Sequence, residues 1–173
     1  MIERAVWREL ARAASDRLHE WRIVTLANVA QGKPSLRSMV LREVNENRWQ
    51  LLFYSDSRSP KVAQLKASPE AMLMVWSREL GWQVRMTITV QVDDSSPAVS
   101  KHWAKVKAST NSQDYLAALP PGTPVQHFKT ERGTREHFAV LTATVTALDW
   151  LELHAQGHRR ASFDGDGHRW LTP

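Results

Sequence analysis

A chain of 173 residues, 42% hydrophobic and 24% charged, is long enough to bury one core, and no segment approaches the roughly 18 apolar residues of a membrane span. With no cysteine, disulfides and thiolate metal sites are excluded, and Glu3, Arg4, Arg8 and Glu9 interrupt any apolar export signal, so a cytoplasmic protein is expected. A net charge of +5 favours anionic partners such as nucleotides, phosphates or nucleic acid, and eight tryptophans supply flat apolar faces suited to cores, interfaces and planar ligands.

Residues 3–18 have the spacing of an amphipathic helix, with Val6, Leu10 and Ala13 on its apolar side. The pattern then turns to strands over 22–28 and 35–44, separated by the turn Gln31-Gly-Lys-Pro34, which predicts a hairpin. A third strand is expected over 48–55. Ser59 as N-cap and Pro60 at the first helical position then open a helix that ends before Pro69. Residues 70–77 and 82–92 read as strands. In the second, Trp82, Val84, Met86, Ile88 and Val90 alternate with Gln83, Arg85, Thr87 and Thr89. A helix is expected over 96–106, capped from Asp93–Ser96, and a shorter one over 111–119, followed by loop through Glu136. A long strand over 138–153 and a hairpin across Gly165-Asp-Gly complete the chain. The expected class is mainly β with short α-helices: a single domain over 1–173 built as a six-stranded antiparallel split β-barrel of Greek-key type, closed enough to protect its strand edges.

Two phrases carry the chemistry. In Arg37-Ser-Met-Val-Leu-Arg42, alternation places Arg37, Met39 and Leu41 on one face and Ser38, Val40 and Arg42 on the other. In Phe53-Tyr-Ser-Asp-Ser-Arg-Ser-Pro-Lys61, a strand runs through hydroxyls into a helix start, where the positive dipole end and Lys61 suit an anion. Each phrase also reads as ordinary surface: a strand with charged ends, and a capped helix with solvated cations. Gln83 could pair with a heterocycle edge or with solvent. His154 and His158 lack a third ligand in a helical frame, so no metal site is expected, and Asp164-Gly-Asp-Gly is a turn without the later glutamate of a calcium loop. No Gly-x-Ser-x-Gly, phosphate-binding loop or Gly-x-Gly-x-x-Gly is present.

In this order the phrases resemble the FMN-binding split barrels of the pyridoxamine 5′-phosphate oxidase-like family, from about residue 18 to the last residue. Arg37–Arg42 resembles the family's flavin strand with Arg42 in place of a lysine. Tyr54-Ser55 resembles its Tyr-Thr, Ser59-Pro60-Lys61 its Ser-Arg-Lys, and Gln83-Val84 its Gln-Val. Trp150, Arg160, Trp170 and Pro173 match its C-terminal spacing. The resemblance implies FMN as cofactor and a homodimer with the flavin at the subunit interface. Arg37 and Lys61 would bind the phosphate with Tyr54, Ser55 and Ser59. Ser38, Met39, Val40, Leu41, Arg42 and Gln83 would border the ring, and Trp150 and Arg160 would reach the partner's flavin. It also implies an FMN-dependent oxidoreductase acting on a small anionic substrate, or alternatively a flavin-storing module without turnover. Arg42, Ser112 and His158 are the substrate-pocket matches. The rest of that pocket departs: Gln156 replaces an arginine, Trp103 and Lys107 lie where tyrosine and arginine belong, and Pro120-Pro-Gly replaces a polar flavin contact. The pattern therefore resembles the uncharacterised FMN-binding branch more than the vitamin enzyme itself.

Overall fold

The computed structural model describes residues 1–108, 112, 115–127 and 137–173. Its elements are α1 (Ile2–Ser15), β1 (Ile23–Ala30), β2 (Lys33–Val40), β3 (Glu43–Asn45), β4 (Gln50–Ser55), α2 (Pro60–Ala67), β5 (Glu70–Ser77), β6 (Trp82–Asp93), α3 (Pro97–Lys107), β7 (Ala139–Glu152), β8 (Arg159–Asp164) and β9 (Gly167–Leu171). The strands form one nine-stranded sheet in the order β2-β1-β5-β6-β7-β4-β3, with β8 on β7 and β9 on β8. The pairings with defined registers are antiparallel. No helix among the described residues is long and apolar enough to cross a membrane. Of the short helix expected over 111–119 and the loop expected through Glu136, residues 111, 113, 114 and 128–136 lie outside the described residues.

The first compact unit comprises Met1–Phe53, Glu70–Val90 and Thr142–Pro173. Its helix buries Val6, Trp7, Leu10 and Ala13, with Trp7 5.7 Å from Trp49 between ring centroids. Ala30 pairs with Lys33, so the β1–β2 loop is only Gln31-Gly32, both at positive φ (54° and 73°). That left-handed pair matches the strand twist of a two-residue hairpin. The single strand expected over 35–44 is instead two. After Val40 the chain leaves the β1 ladder: Leu41 N–H bonds the Arg22 carbonyl, and Arg42 N–H bonds the Leu52 carbonyl beside β4. Strand alternation survives in β5, where Ala71, Leu73 and Val75 are buried while Met72, Met74 and Trp76 are 37–42% exposed. It survives equally in β6, where Val84, Met86, Ile88 and Val90 point inward.

The second unit comprises Tyr54–Pro69 and Gln91–Leu141. Its described core is aromatic: Phe138 packs against Tyr54 at 4.9 Å, Tyr115 at 5.1 Å and Trp103 at 5.3 Å. Edge-to-face and tilted contacts of this kind add stability beyond buried area. Ser96 caps α3 by accepting the Ala98 N–H at 3.2 Å and is itself held by Asp93, as the cap residues anticipate.

Candidate functional site

In the second unit, β4 ends at Ser55 and the chain turns through 56–59 into α2. Asp56 dictates that turn. Its carboxylate accepts Arg58 N–H at 2.8 Å and also takes the Arg58 guanidinium at 3.1 and 2.7 Å. An aspartate bonding backbone two residues on is a common turn former, and here the ion pair locks it. The Asp56 hydrogen bond raises the guanidinium further above its ordinary range. Arg58 also donates to the carbonyls of Ala117, Ala118 and Leu119 at 2.8, 3.3 and 3.4 Å, fixing a segment distant in sequence.

Held by this turn, Ser55 and Ser59 are 3% and 4% exposed. Lys61 folds back from the first turn of α2, and its ammonium donates to Ser59 Oγ at 2.9 Å and Ser55 Oγ at 3.1 Å. Ser59 occupies the N-cap without capping by its side chain, because its hydroxyl serves Lys61 instead. One cation and two sheltered hydroxyls at a helix start constitute a donor set for a phosphate group. Tyr54 belongs to the same phrase but, by strand alternation, leaves on the opposite side from Ser55. Its hydroxyl lies 3.0 Å from His102 Nδ1 on α3. Asp56, Arg58 and His102 were not among the expected site residues. The Asp-x-Arg spacing signals the turn, whereas nothing local points from Tyr54 to His102.

In the first unit, Arg37 sits on β2 with its guanidinium bonded to the side chains of Asn28 and Ser35. The register explains this: Asn28 pairs with Ser35, and Arg37 lies two residues on along the same face. Burial pulls the Arg37 guanidinium below its ordinary value. The expected faces hold, with Met39 and Leu41 buried on the Arg37 side and Ser38 exposed on the other. Val40 and Arg42 are half-buried. Gln83, also half-buried, pairs with Trp76 across β5–β6.

Trp150 on β7 is 1% exposed and meets Trp82 edge-on at 5.5 Å, with the Arg159 guanidinium 6.0 Å from its centroid. Trp82 in turn donates to Glu152 at 3.1 Å. Arg160 on β8 grips Asp149 in two-point fashion at 3.0 and 2.7 Å, and the same carboxylate accepts Arg85 at 2.6 Å. Burial pushes the Asp149 carboxyl up, but the Arg160 and Arg85 hydrogen bonds outweigh it and hold it below the usual range. Of the substrate-pocket matches, Arg42 lies beyond the end of β2, and Ser112 is 7% exposed in the second unit. His158 accepts the His154 N–H at 3.2 Å and lines an open hollow of about 410 Å³ with His154, Gln156, Gly157 and Arg159.

Residues 4–94 match the family model described as pyridoxamine 5′-phosphate oxidase, FMN-binding domain. A pyridoxine/pyridoxamine 5′-phosphate oxidase of Burkholderia vietnamiensis is 30% identical over 130 residues, 74% of this chain and 52% of the relative. Its counterpart in Thermosynechococcus vestitus is 36% identical over 83 residues, 47% of this chain and 38% of the relative. The chain thus spans about half or less of the curated relatives it matches. A pyridoxamine 5′-phosphate oxidase-related, FMN-binding protein of Nostoc punctiforme has the same fold. That crystal structure superposes with a TM-score of 0.76 at 23% identity, covering 98% of this chain and 95% of that one.

Proposed function

This chain belongs to the pyridoxamine 5′-phosphate oxidase FMN-binding domain family, and on that premise we propose that it is an FMN-dependent oxidoreductase acting on a small anionic substrate. The observation that carries the reading is the Lys61–Ser55–Ser59 cluster, whose donors match the phosphate that distinguishes FMN from riboflavin. When bound, FMN supplies the two-electron chemistry, and the protein's work is to bind and orient it and to tune its surroundings. Lys61 would supply the full charge, and the buried Ser55 and Ser59 hydroxyls would orient the phosphate. Arg37, with Ser38–Arg42 and Gln83, remains assigned by its sequence match, each residue open to single substitution.

The reading includes a homodimer. The outer sheet face of the first unit exposes Leu36 (66%), Val29 (59%), Ile23 (51%) and the β5 side chains Met72, Met74 and Trp76, an apolar stripe typical of an interaction surface. Trp150 is sealed within its own protomer, so it backs β8, and the outward reach falls to Arg160, whose side chain is 29% exposed.

Titration with FMN should quench flavin fluorescence and raise the melting temperature at micromolar ligand. Absence of both signals overturns the cofactor assignment. Reduction of the bound flavin by NAD(P)H or pyridoxamine 5′-phosphate, followed by reoxidation, would establish turnover. Stable binding without reduction favours the storage reading, which the incomplete substrate-pocket match supports. Leu36→Glu or Met74→Glu should move the sedimentation coefficient from dimer to monomer.

A further inference from the structure

In the second unit, two independent sets of hydrogen bonds tie the turn between β4 and α2 to a distant stretch of chain. The backbone supplies the first. Ser57 N–H donates to the His137 carbonyl at 3.3 Å, and His137 N–H donates to the Tyr115 carbonyl at 3.2 Å. Arg58 supplies the second. Its Nη2 donates to the carbonyls of Ala117 and Leu119 at 2.8 and 3.4 Å, and its Nη1 to that of Ala118 at 3.3 Å. One side chain thus gathers three consecutive carbonyls that lie 59 to 61 residues on in sequence.

Arg58 does this while gripped by Asp56. The Asp56 carboxylate, with a side chain only 4% exposed, accepts Nε at 3.1 Å and Nη2 at 2.7 Å. All three guanidinium nitrogens therefore already serve protein oxygens, and the side chain is built as a strut rather than as a phosphate ligand. Asp56 directly follows Ser55, so its charge lies beside the hydroxyls that hold Lys61. Without Arg58, that position would present an unpaired, sheltered carboxylate to an arriving phosphate, and like charges in a sheltered site repel strongly. Arg58 cancels the charge. It also fixes the turn that spaces Ser55 from Ser59, through the Arg58 N–H that Asp56 accepts at 2.8 Å.

We propose that Arg58 is a positioning residue that couples phosphate binding at the Lys61–Ser55–Ser59 cluster to the order of segment 115–119. The proposal rests on the reading that the FMN phosphate sits at this cluster. A phosphate held by Lys61 and the two hydroxyls fixes both ends of the turn, and with it the Arg58 side chain whose donors hold 117–119. The converse follows from reciprocity: a segment held by Arg58 keeps the turn in the form that binds the phosphate. Ser112, the buried substrate-pocket match, lies three residues before Tyr115, so the coupling runs from the cofactor toward the substrate side of the same unit.

Amide hydrogen exchange on the full chain, read by mass spectrometry, tests the coupling. In the wild type, FMN should slow exchange in peptides covering 115–119 by about fivefold or more, and in Arg58→Ala it should leave the rate unchanged. Riboflavin, which lacks the phosphate, should slow neither protein. In fluorescence titrations Arg58→Ala should weaken FMN about fivefold or more while riboflavin stays within about twofold. Arg58→Lys should fall between, because it keeps a charge opposite Asp56 but cannot span three carbonyls, and it carries the same comparison if Arg58→Ala does not fold. No slowing in the wild type with FMN bound, equal slowing in Arg58→Ala, slowing by riboflavin that matches FMN, or equal loss of both ligands in the Arg58 variants each overturns the proposal. If FMN is not taken up, inorganic phosphate becomes the probe. Slowing at 115–119 that requires Arg58 then keeps the coupling and defeats only the flavin reading, whereas no slowing overturns the coupling as well.

Discussion

The turn at 54–61 and the outer strands β6–β7–β8 both gather cations, but in opposite ways. At the turn, the Lys61 ammonium donates to the Ser55 and Ser59 hydroxyls. On the strands, Arg85 and Arg160 share a carboxylate. An anion arriving at Lys61 meets donors already gathered at a helix start, and serine hydroxyls can rotate toward it. An anion arriving at Arg85 or Arg160 must share donors with Asp149. The two arrangements therefore differ in what an incoming anion would have to displace.

Substitutions can separate the two regions. The largest effect is expected from Trp150→Ala, which empties the packing beneath β8 between Trp82 and Arg159. It should cost about 3–5 kcal/mol of unfolding free energy, measured by urea denaturation. The ratio of FMN to riboflavin affinity should be unchanged, because Lys61 lies in the other unit. A collapse of that ratio would mean the regions are not independent.

Lys61→Ala should come next. Removing a charged donor forfeits about 1.5–3 kcal/mol, roughly ten- to a hundredfold in FMN affinity. Riboflavin, lacking the phosphate, should bind as before in a parallel fluorescence titration. Equal loss of both ligands would move the phosphate elsewhere, with Arg37→Ala as the next variant to compare.

The smallest effect belongs to Asp149→Asn. As a partly exposed ion pair it is worth on the order of 1 kcal/mol at neutral pH. Its carboxyl is held below the ordinary value, so its contribution is full above the unfolded value near about 3.9 and is lost as pH falls through the folded value. Asp93 and Glu20 are held low by hydrogen bonds from Ser96 and Ser77, and Glu152, which burial raises, is brought low by Trp82 and Arg159. Thermal stability of the wild type should therefore decline below about pH 4. The Asp149→Asn variant should show a shallower decline, and an identical acid limb would remove Asp149 from the stabilising set.

How far each feature could be read in advance follows the distance over which it is decided. The faces of β2, β5 and β6, the Ser59-Pro60 helix start and the caps of α3 were legible, because strand and helix periods act over two to four residues. Lys61 meets Ser55 and Ser59 across six and two residues, so the anion turn was legible as well. The break between β2 and β3 was not, since the apolar run through Leu41 continues and only the competing partners Arg22 and Leu52 divide it.

By itself, then, the sequence determined the mainly β class, the strand faces and the 54–61 turn, all of which follow from local backbone preference and spacing, while the flavin family entered only through the resemblance of its motifs to known proteins. Tertiary structure alone decided that Arg58 would tether a segment 59 residues away, that Trp150 would face inward, and that Arg85 would find Asp149 across 64 residues. Those outcomes depend on which strands pair and in what register. Because side chains alternate with a period of two, a one-residue slip would turn Asp149 inward and expose Trp150. The distribution of charge on the outer face is therefore a property of the assembled sheet.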